Sequence, residues 1–113
     1  MKTLCAQLVT ALFCSVPALA IAGEAVLIEF TSTRCAPCQQ MKPVLSELAR
    51  SGVAIRSVDV DREPELTRRY GIQQTPTFIV VSNGKELTRL VGRQAIDELQ
   101  AALSINPNGP WVN

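Results

Sequence analysis

The chain has 113 residues, 11 Lys and Arg against 10 Asp and Glu, no histidine, and a hydrophobic fraction of 47%. This length predicts one small domain, and a formal charge of +1 with 4% aromatic residues offers nucleic acid neither a basic patch nor stacking surfaces. Without histidine the chain cannot form Ser-His or Cys-His catalytic pairs or mixed Cys/His zinc sites. Nucleic acid is therefore not an expected partner, and any chemistry must come from Cys, carboxylates, Lys, Arg, Tyr or the backbone.

The first 22 residues are ordered like a secretory signal peptide. A basic residue near the start precedes an apolar run from Leu4 to Val16, and small residues follow up to Ala22. This pattern predicts cleavage after Ala22 and export, with the bacterial periplasm as the expected compartment. An uncleaved membrane anchor is the alternative, because the apolar segment is just long enough to cross a bilayer. The expected division is a signal peptide at 1–22, a domain at 23–106 and a C-terminal tail at 107–113.

Strand and helix patterns alternate along the rest of the chain. Short runs rich in branched apolar residues predict strands at Ala25–Phe30, Val53–Val58, Thr77–Val81 and Glu86–Val91. Apolar residues at three- and four-residue spacing, together with helix start and stop signals, predict helices at Cys35–Arg50, Glu63–Tyr70 and Gln94–Ser104. The order β-α-β-α-β-β-α predicts an α/β fold with a four-stranded mixed sheet flanked by helices. We expect a parallel core and an antiparallel edge made by the final hairpin.

Cys35 and Cys38 are the only cysteines after the predicted cleavage site, and they lie where the first strand passes into the first helix. The helix dipole and free backbone N–H groups favour a thiolate at Cys35, and the charge of Arg34 adds to this effect. Cys38, one turn further on, is expected to be less exposed and close enough to form a disulfide with Cys35. Pro37 suits an early helical position and limits the flexibility of the loop between the two sulfurs.

The cysteine pair has two alternative interpretations, a structural disulfide and half of a metal site. A structural disulfide that closes so short a loop would constrain the unfolded chain little. Half of a metal site would need further cysteine or histidine ligands, which the chain after residue 22 does not contain. We therefore interpret the pair as a redox-active disulfide and expect neither a metal ion nor another cofactor.

The sequence from Val26 to about Leu103 resembles the thioredoxin family, through an ordered set of motifs. These are Val26–Phe30, Cys35–Cys38, Pro43, Val58–Asp61, Tyr70–Ile72, Thr75–Phe78, Asn83–Lys85 and Val91–Gly92. The resemblance implies a thioredoxin-like fold and a thiol-disulfide oxidoreductase that reduces protein disulfides. It implies that Cys35 is the attacking nucleophile and that Cys38 is the thiol that resolves the mixed disulfide.

The same resemblance assigns a substrate groove. Thr75 and Pro76 match the family's cis-proline step, which lies against the cysteine pair and offers backbone groups to an extended substrate segment. Gly92 matches a glycine that leaves room beside this groove, although a strand-to-helix turn explains it as well. Arg34 and the residues between the cysteines, Ala36 and Pro37, complete the expected substrate-binding set.

Glu29 lies among apolar residues of the first strand, so its carboxylate is expected to be partly buried. The family has an acidic residue at this position that helps to deprotonate the resolving cysteine, which implies a proton-transfer role for Glu29 toward Cys38. The alternative is a carboxylate at the strand end that reaches solvent or pairs with an arginine.

The resemblance implies disulfide-containing client proteins and an upstream electron donor as partners, and we expect a monomer. Three positions depart from the family pattern: Arg34 replaces a tryptophan, Ala36 replaces a glycine, and Ser57 replaces a lysine near the buried acid. Arg34 and the absent lysine favour a second hypothesis, a peptide-binding module of the same fold with a permanently oxidised cysteine pair.

Overall fold

The computed structural model describes residues 25–105. The predicted signal peptide at 1–22 and the predicted tail at 107–113 lie outside the described residues. The strands are β1 Val26–Thr31, β2 Ala54–Asp59, β3 Thr77–Ser82 and β4 Lys85–Val91, and the helices are α1 Ala36–Arg50, α2 Pro64–Arg69 and α3 Ile96–Leu103. Every element predicted from the sequence is present in the predicted order, with bounds that differ by one or two residues.

The four strands form a mixed sheet in the order β2-β1-β3-β4, as the predicted fold class requires. The expectation of a parallel core is only half right: β1 pairs parallel with β2 but antiparallel with β3. Strand β3 starts at the end of the sheet where β2 finishes, because Thr77 pairs with Phe30 and Asp59 pairs with the next residue of β1, Thr31. Helix α2 has six residues and rises roughly 9 Å, so it does not by itself carry the chain back along a six-residue strand, which spans roughly 20 Å.

Two hydrophobic layers cover the two faces of the sheet, because successive side chains of a strand point to opposite faces. Leu27 and Phe78 pack with α1 and α3 on one face. Ile28 and Phe30 pack with Leu66 of α2 and with neighbouring side chains on the other face. The central strand β1 is thus buried on both sides, and it delivers the chain to the start of α1.

Helix α1 carries the cysteine motif into the first layer. Its buried residues recur at three- and four-residue spacing and are Cys38, Met41, Leu45 and Leu48. The helix runs on through Pro43, which is exposed and lacks the N–H of a regular helical residue. Cys38 is therefore held between α1 and the sheet by the same packing that fixes the helix.

Within residues 25–105, no helix combines the length and the apolar character needed to cross a membrane.

Candidate active site

The two cysteines occupy unequal positions at the start of α1. Cys35 is the N-cap residue, in an extended backbone conformation, and its sulfur accepts a hydrogen bond from the Cys38 N–H at 3.2 Å. The two residues are joined by a disulfide with a Cα–Cα distance of 5.2 Å. Cys38 is 1% exposed, whereas Cys35 is half-buried. Cys35 is therefore the more accessible of the two cysteines.

The position of Cys35 suits a thiolate in the reduced protein. The first N–H groups of a helix lack partners within the helix, and the helix dipole places positive charge at this end. The Cys38 N–H already points at the Cys35 sulfur, so reduction leaves a donor in place for the negative charge. A thiolate, and not a thiol, is the species that attacks disulfides.

The Thr75–Pro76 segment lies against this sulfur. The Thr75 carbonyl oxygen is 3.6 Å from Cys35 Sγ, and the peptide bond between Thr75 and Pro76 is cis. Strand pairing brings these residues together, because Phe30 at the end of β1 is the partner of Thr77 at the start of β3. In the described chain, neither the N–H nor the C=O of Thr75 forms a hydrogen bond with another backbone group. The Thr75 N–H therefore has no hydrogen-bond partner among residues 25–105, and the Thr75 C=O contacts Cys35 Sγ.

Gly92 lies next to Pro76. The Gly92 N–H donates a hydrogen bond to the Pro76 carbonyl oxygen at 2.8 Å. Its φ of +86° lies in the left-handed region that favours glycine. An added Cβ would come no closer than 3.9 Å to the Gln74 side chain, an ordinary contact. The positive φ of the turn after β4 therefore explains why residue 92 is a glycine. That Gly92 also leaves room beside the substrate groove stays a prediction.

A groove of about 260 Å³ runs beside Thr75. It is lined by Ser32, Val60, Thr67 and the segment 72–75. The residues around the outer sulfur, Arg34, Ala36 and Pro37, are all exposed. The structure thus brings the predicted cysteines, Thr75, Pro76 and Gly92 together, with the three exposed residues on the adjoining surface.

Glu29 lies on the face of β1 that α1 covers, and it is 5% exposed. Its Oε2 accepts a hydrogen bond from Ser57 Oγ at 2.7 Å, and no arginine pairs with it among residues 25–105. Burial raises the pKa of the Glu29 carboxyl above its ordinary value of 4.5, while the Ser57 hydrogen bond and the nearby Lys42 act in the opposite direction. Of the two alternatives for Glu29, solvent contact and an arginine pair, neither is present in this part of the chain.

Sequence reasoning missed two polar residues of this region. Lys42 lies one turn after Cys38 on α1, and its positive charge lowers the pKa of the Glu29 carboxyl. In the sequence, only the spacing of four residues between Cys38 and Lys42 indicates that the two side chains share a helix face. Arg93, next to Gly92, donates to Gln40 of α1 at 2.7 Å and so ties the turn after β4 to the helix. No group of three or more metal-binding side chains occurs within residues 25–105.

Comparisons with known proteins agree with this geometry. The family model described as thioredoxin matches residues 16–105. A thioredoxin from Alicyclobacillus acidocaldarius is 37% identical over 75% of this chain and 85% of its own length. A thioredoxin from Chlamydia trachomatis is 38% identical over 74% of this chain and 84% of its own length. A protein of Mycobacterium leprae named bifunctional thioredoxin reductase/thioredoxin is 34% identical over 76% of this chain and 20% of its own length.

Solved structures give the same result. A mutant thioredoxin from Halobacterium salinarum superposes with a TM-score of 0.68 at 32% identity, covering 71% of this chain and 72% of its own. The structure of reduced Schistosoma mansoni thioredoxin pre-protein gives a TM-score of 0.67 at 31% identity, covering 73% of this chain and 78% of its own. The fold class predicted from the sequence is confirmed.

Proposed function

Since this chain belongs to the thioredoxin family of disulfide oxidoreductases, we propose that it is exported and reduces disulfides of client proteins through Cys35 and Cys38. The observation that carries the proposal is the asymmetry of the pair: a half-buried Cys35 caps the helix, and Cys38 is 1% exposed behind it. This arrangement separates an attacking sulfur from a resolving one. The signal-like sequence before residue 23 supports export.

The first step is attack by the Cys35 thiolate on one sulfur of a client disulfide. A bond forms between Cys35 Sγ and that sulfur, and the client's own S–S bond breaks with its electron pair leaving on the second client sulfur. That sulfur takes a proton from water. The Cys38 N–H and the helix dipole, which stabilise the thiolate, keep Cys35 reactive at neutral pH.

The second step resolves the mixed disulfide. The Cys38 thiol gives its proton to the carboxylate of Glu29, and the resulting thiolate attacks Cys35 Sγ. The Cys35–Cys38 bond forms, and the client sulfur leaves with the electron pair of the bond to Cys35. Two electrons have then passed from the protein to the client. A carboxyl with a raised pKa suits this exchange, because it accepts a proton more readily than an exposed one.

The client binds along the groove beside Thr75. Its extended segment pairs with the N–H and C=O of Thr75, which make no backbone hydrogen bond within residues 25–105. Arg34, Ala36 and Pro37 contact the client around the attacked sulfur, and they are exposed as this role requires. The protein acts as a monomer without a cofactor other than its own disulfide.

An upstream donor must reduce the Cys35–Cys38 disulfide after each cycle. The relative named bifunctional thioredoxin reductase/thioredoxin joins a domain like this one to a reductase, which supports a reductase-type protein as the donor. The donor must deliver its electrons in the compartment to which the chain is exported.

Reduction of insulin by dithiothreitol, followed by turbidity, tests the function. We expect the wild-type protein without residues 1–22 to accelerate precipitation strongly, and Cys35→Ser to fall to the background rate of dithiothreitol alone. Ser46→Ala, on the exposed side of α1, is the control and should keep full activity. Background rates for both the wild type and Cys35→Ser would contradict the proposal and favour a peptide-binding module with a permanently oxidised pair.

A further inference from the structure

Ser57 connects a buried carboxyl group to the surface of the protein. Its Oγ donates to Glu29 Oε2 at 2.7 Å, and the two residues are partners in the parallel pairing of β1 and β2. Glu29 is 5% exposed, whereas Ser57 is exposed. Strand β2 is an outer strand of the sheet in the part of the chain that the structure describes. The hydroxyl that contacts the buried carboxylate therefore belongs to an exposed residue at the edge of the sheet.

The hydroxyl of Ser57 makes the only hydrogen bond to the Glu29 side chain within residues 25–105. A hydroxyl group can donate one hydrogen bond and accept two. The Ser57 hydroxyl can therefore donate a hydrogen bond to Glu29 when Glu29 is ionised, and accept one from Glu29 when Glu29 is protonated, without changing position.

We propose that Ser57 is a positioning residue for Glu29 and passes the proton of Glu29 to water at the edge of the sheet. This inference rests on the proposed function, in which Glu29 receives the proton of Cys38. After that transfer, the Glu29 O–H donates to Ser57 Oγ. Ser57 then takes this proton while its own hydroxyl proton moves to a water molecule. The step leaves Glu29 as a carboxylate, Ser57 as a neutral hydroxyl and one more proton in the solvent.

The ionisable groups on this side of the sheet do not provide a hydrogen-bonded link between Glu29 and the surface, as Ser57 does. Helix α1 contributes Cys38, which is buried, and Lys42, which acts on Glu29 through its charge. Strand β2 contributes Asp59, two residues after Ser57 on the same face, and Asp59 pairs with Arg62 at 3.9 Å. Strand β3 places Phe78 opposite Glu29. Helix α3 covers the far part of the layer and carries its acids, Asp97 and Glu98, exposed.

A matched pair of variants, Ser57→Thr and Ser57→Val, isolates the hydroxyl group. Threonine and valine have nearly the same shape, and both are favoured in strands, so both variants are expected to fold. Threonine keeps the hydroxyl and valine replaces it with a methyl group. The measurement begins from a mixed disulfide formed on Cys35 by reaction of the reduced protein with a small aromatic disulfide. Release of the aromatic thiol is followed by absorbance from pH 5 to 9, and attack by Cys35 is recorded separately.

We expect Ser57→Val to slow release by roughly tenfold near neutral pH, as for the loss of one hydrogen bond to a charged group. We also expect Ser57→Val to move the midpoint of the pH dependence of the release rate upward, because the hydrogen bond that it removes lowers the pKa of Glu29. The rate of attack by Cys35 should not change, and Ser57→Thr should behave like the wild type. A purely structural role would change stability without moving that midpoint.

Identical release profiles for Ser57→Val and Ser57→Thr would overturn the inference about Ser57 while leaving the proposed function intact. Failure of the wild-type protein to form the mixed disulfide at all would instead contradict the proposed function. The two failures are therefore distinguishable in one experiment.

Discussion

Replacement of Cys38 by serine is expected to convert a transient mixed disulfide into a stable one. In the proposed mechanism, release of a client bound to Cys35 depends on attack by the sulfur of Cys38, a residue that lies one helical turn away and is 1% exposed. Serine has nearly the same size and keeps the backbone N–H that donates to Cys35, so we expect attack to proceed while resolution stops. Covalent complexes should rise from a trace to a major fraction of the protein.

Non-reducing gels of cells that export the Cys38→Ser variant provide the measurement. The complexes should appear as bands of higher mass that disappear on addition of dithiothreitol. The double variant Cys35→Ser/Cys38→Ser is the matched control and should form none. If an abundant Cys38→Ser protein forms no such complexes, the redox role is contradicted and the peptide-binding hypothesis gains support.

Replacement of Glu29 by glutamine should slow resolution by about 10²-fold, the lower end of the range for loss of one general base. Glutamine keeps the volume of the side chain and can still accept the hydrogen bond from Ser57 Oγ. It cannot take the proton of Cys38. Attack by Cys35 on a client disulfide should change little, because the proposed mechanism assigns the reactivity of Cys35 to the helix start and not to Glu29. Rapid mixing with a small disulfide separates the two rates.

The same variant should be more stable than the wild type at neutral pH. Burial raises the pKa of Glu29 above 4.5, so the folded protein holds this proton more tightly than the unfolded chain. The stability contributed by the protonated form is present below pH 4.5 and is lost as the pH rises through the higher folded pKa.

Denaturant unfolding at several pH values measures this effect. The unfolding free energy of the wild type should decline across that range relative to Glu29→Gln, in which position 29 does not titrate. A Glu29→Gln protein with lower stability and unchanged resolution would identify Glu29 as a structural residue and remove it from the mechanism.

Local sequence patterns were sufficient to predict the strands and helices and the position of the cysteine pair at the start of α1. Apolar periodicity predicted α1, and the place of the cysteines after β1 predicted that Cys35 would lie at the helix N-terminus, where the structure has it as the N-cap residue. The direction of β3 was not predictable in this way, because it depends on how far the short helix α2 carries the chain.

Contacts between distant residues also required the structure. The resemblance placed Ser57 near the buried acid, but the hydrogen bond from Ser57 to Glu29 depends on the register of two strands that are 28 residues apart. No local pattern specifies that register. The link from Arg93 to Gln40 spans 53 residues and depends in the same way on the packing of the complete domain.

Identification of the sulfur that carries the client during turnover tests the assignment of Cys35 as the attacking nucleophile. The reduced wild-type protein is mixed rapidly with a peptide that contains one disulfide, quenched with acid after successive delays, and mapped by mass spectrometry. We predict an early adduct on Cys35 alone, which decays as the Cys35–Cys38 disulfide forms and the reduced peptide is released. An adduct that forms first on Cys38, or reduced peptide that accumulates without any adduct on Cys35, would contradict the account.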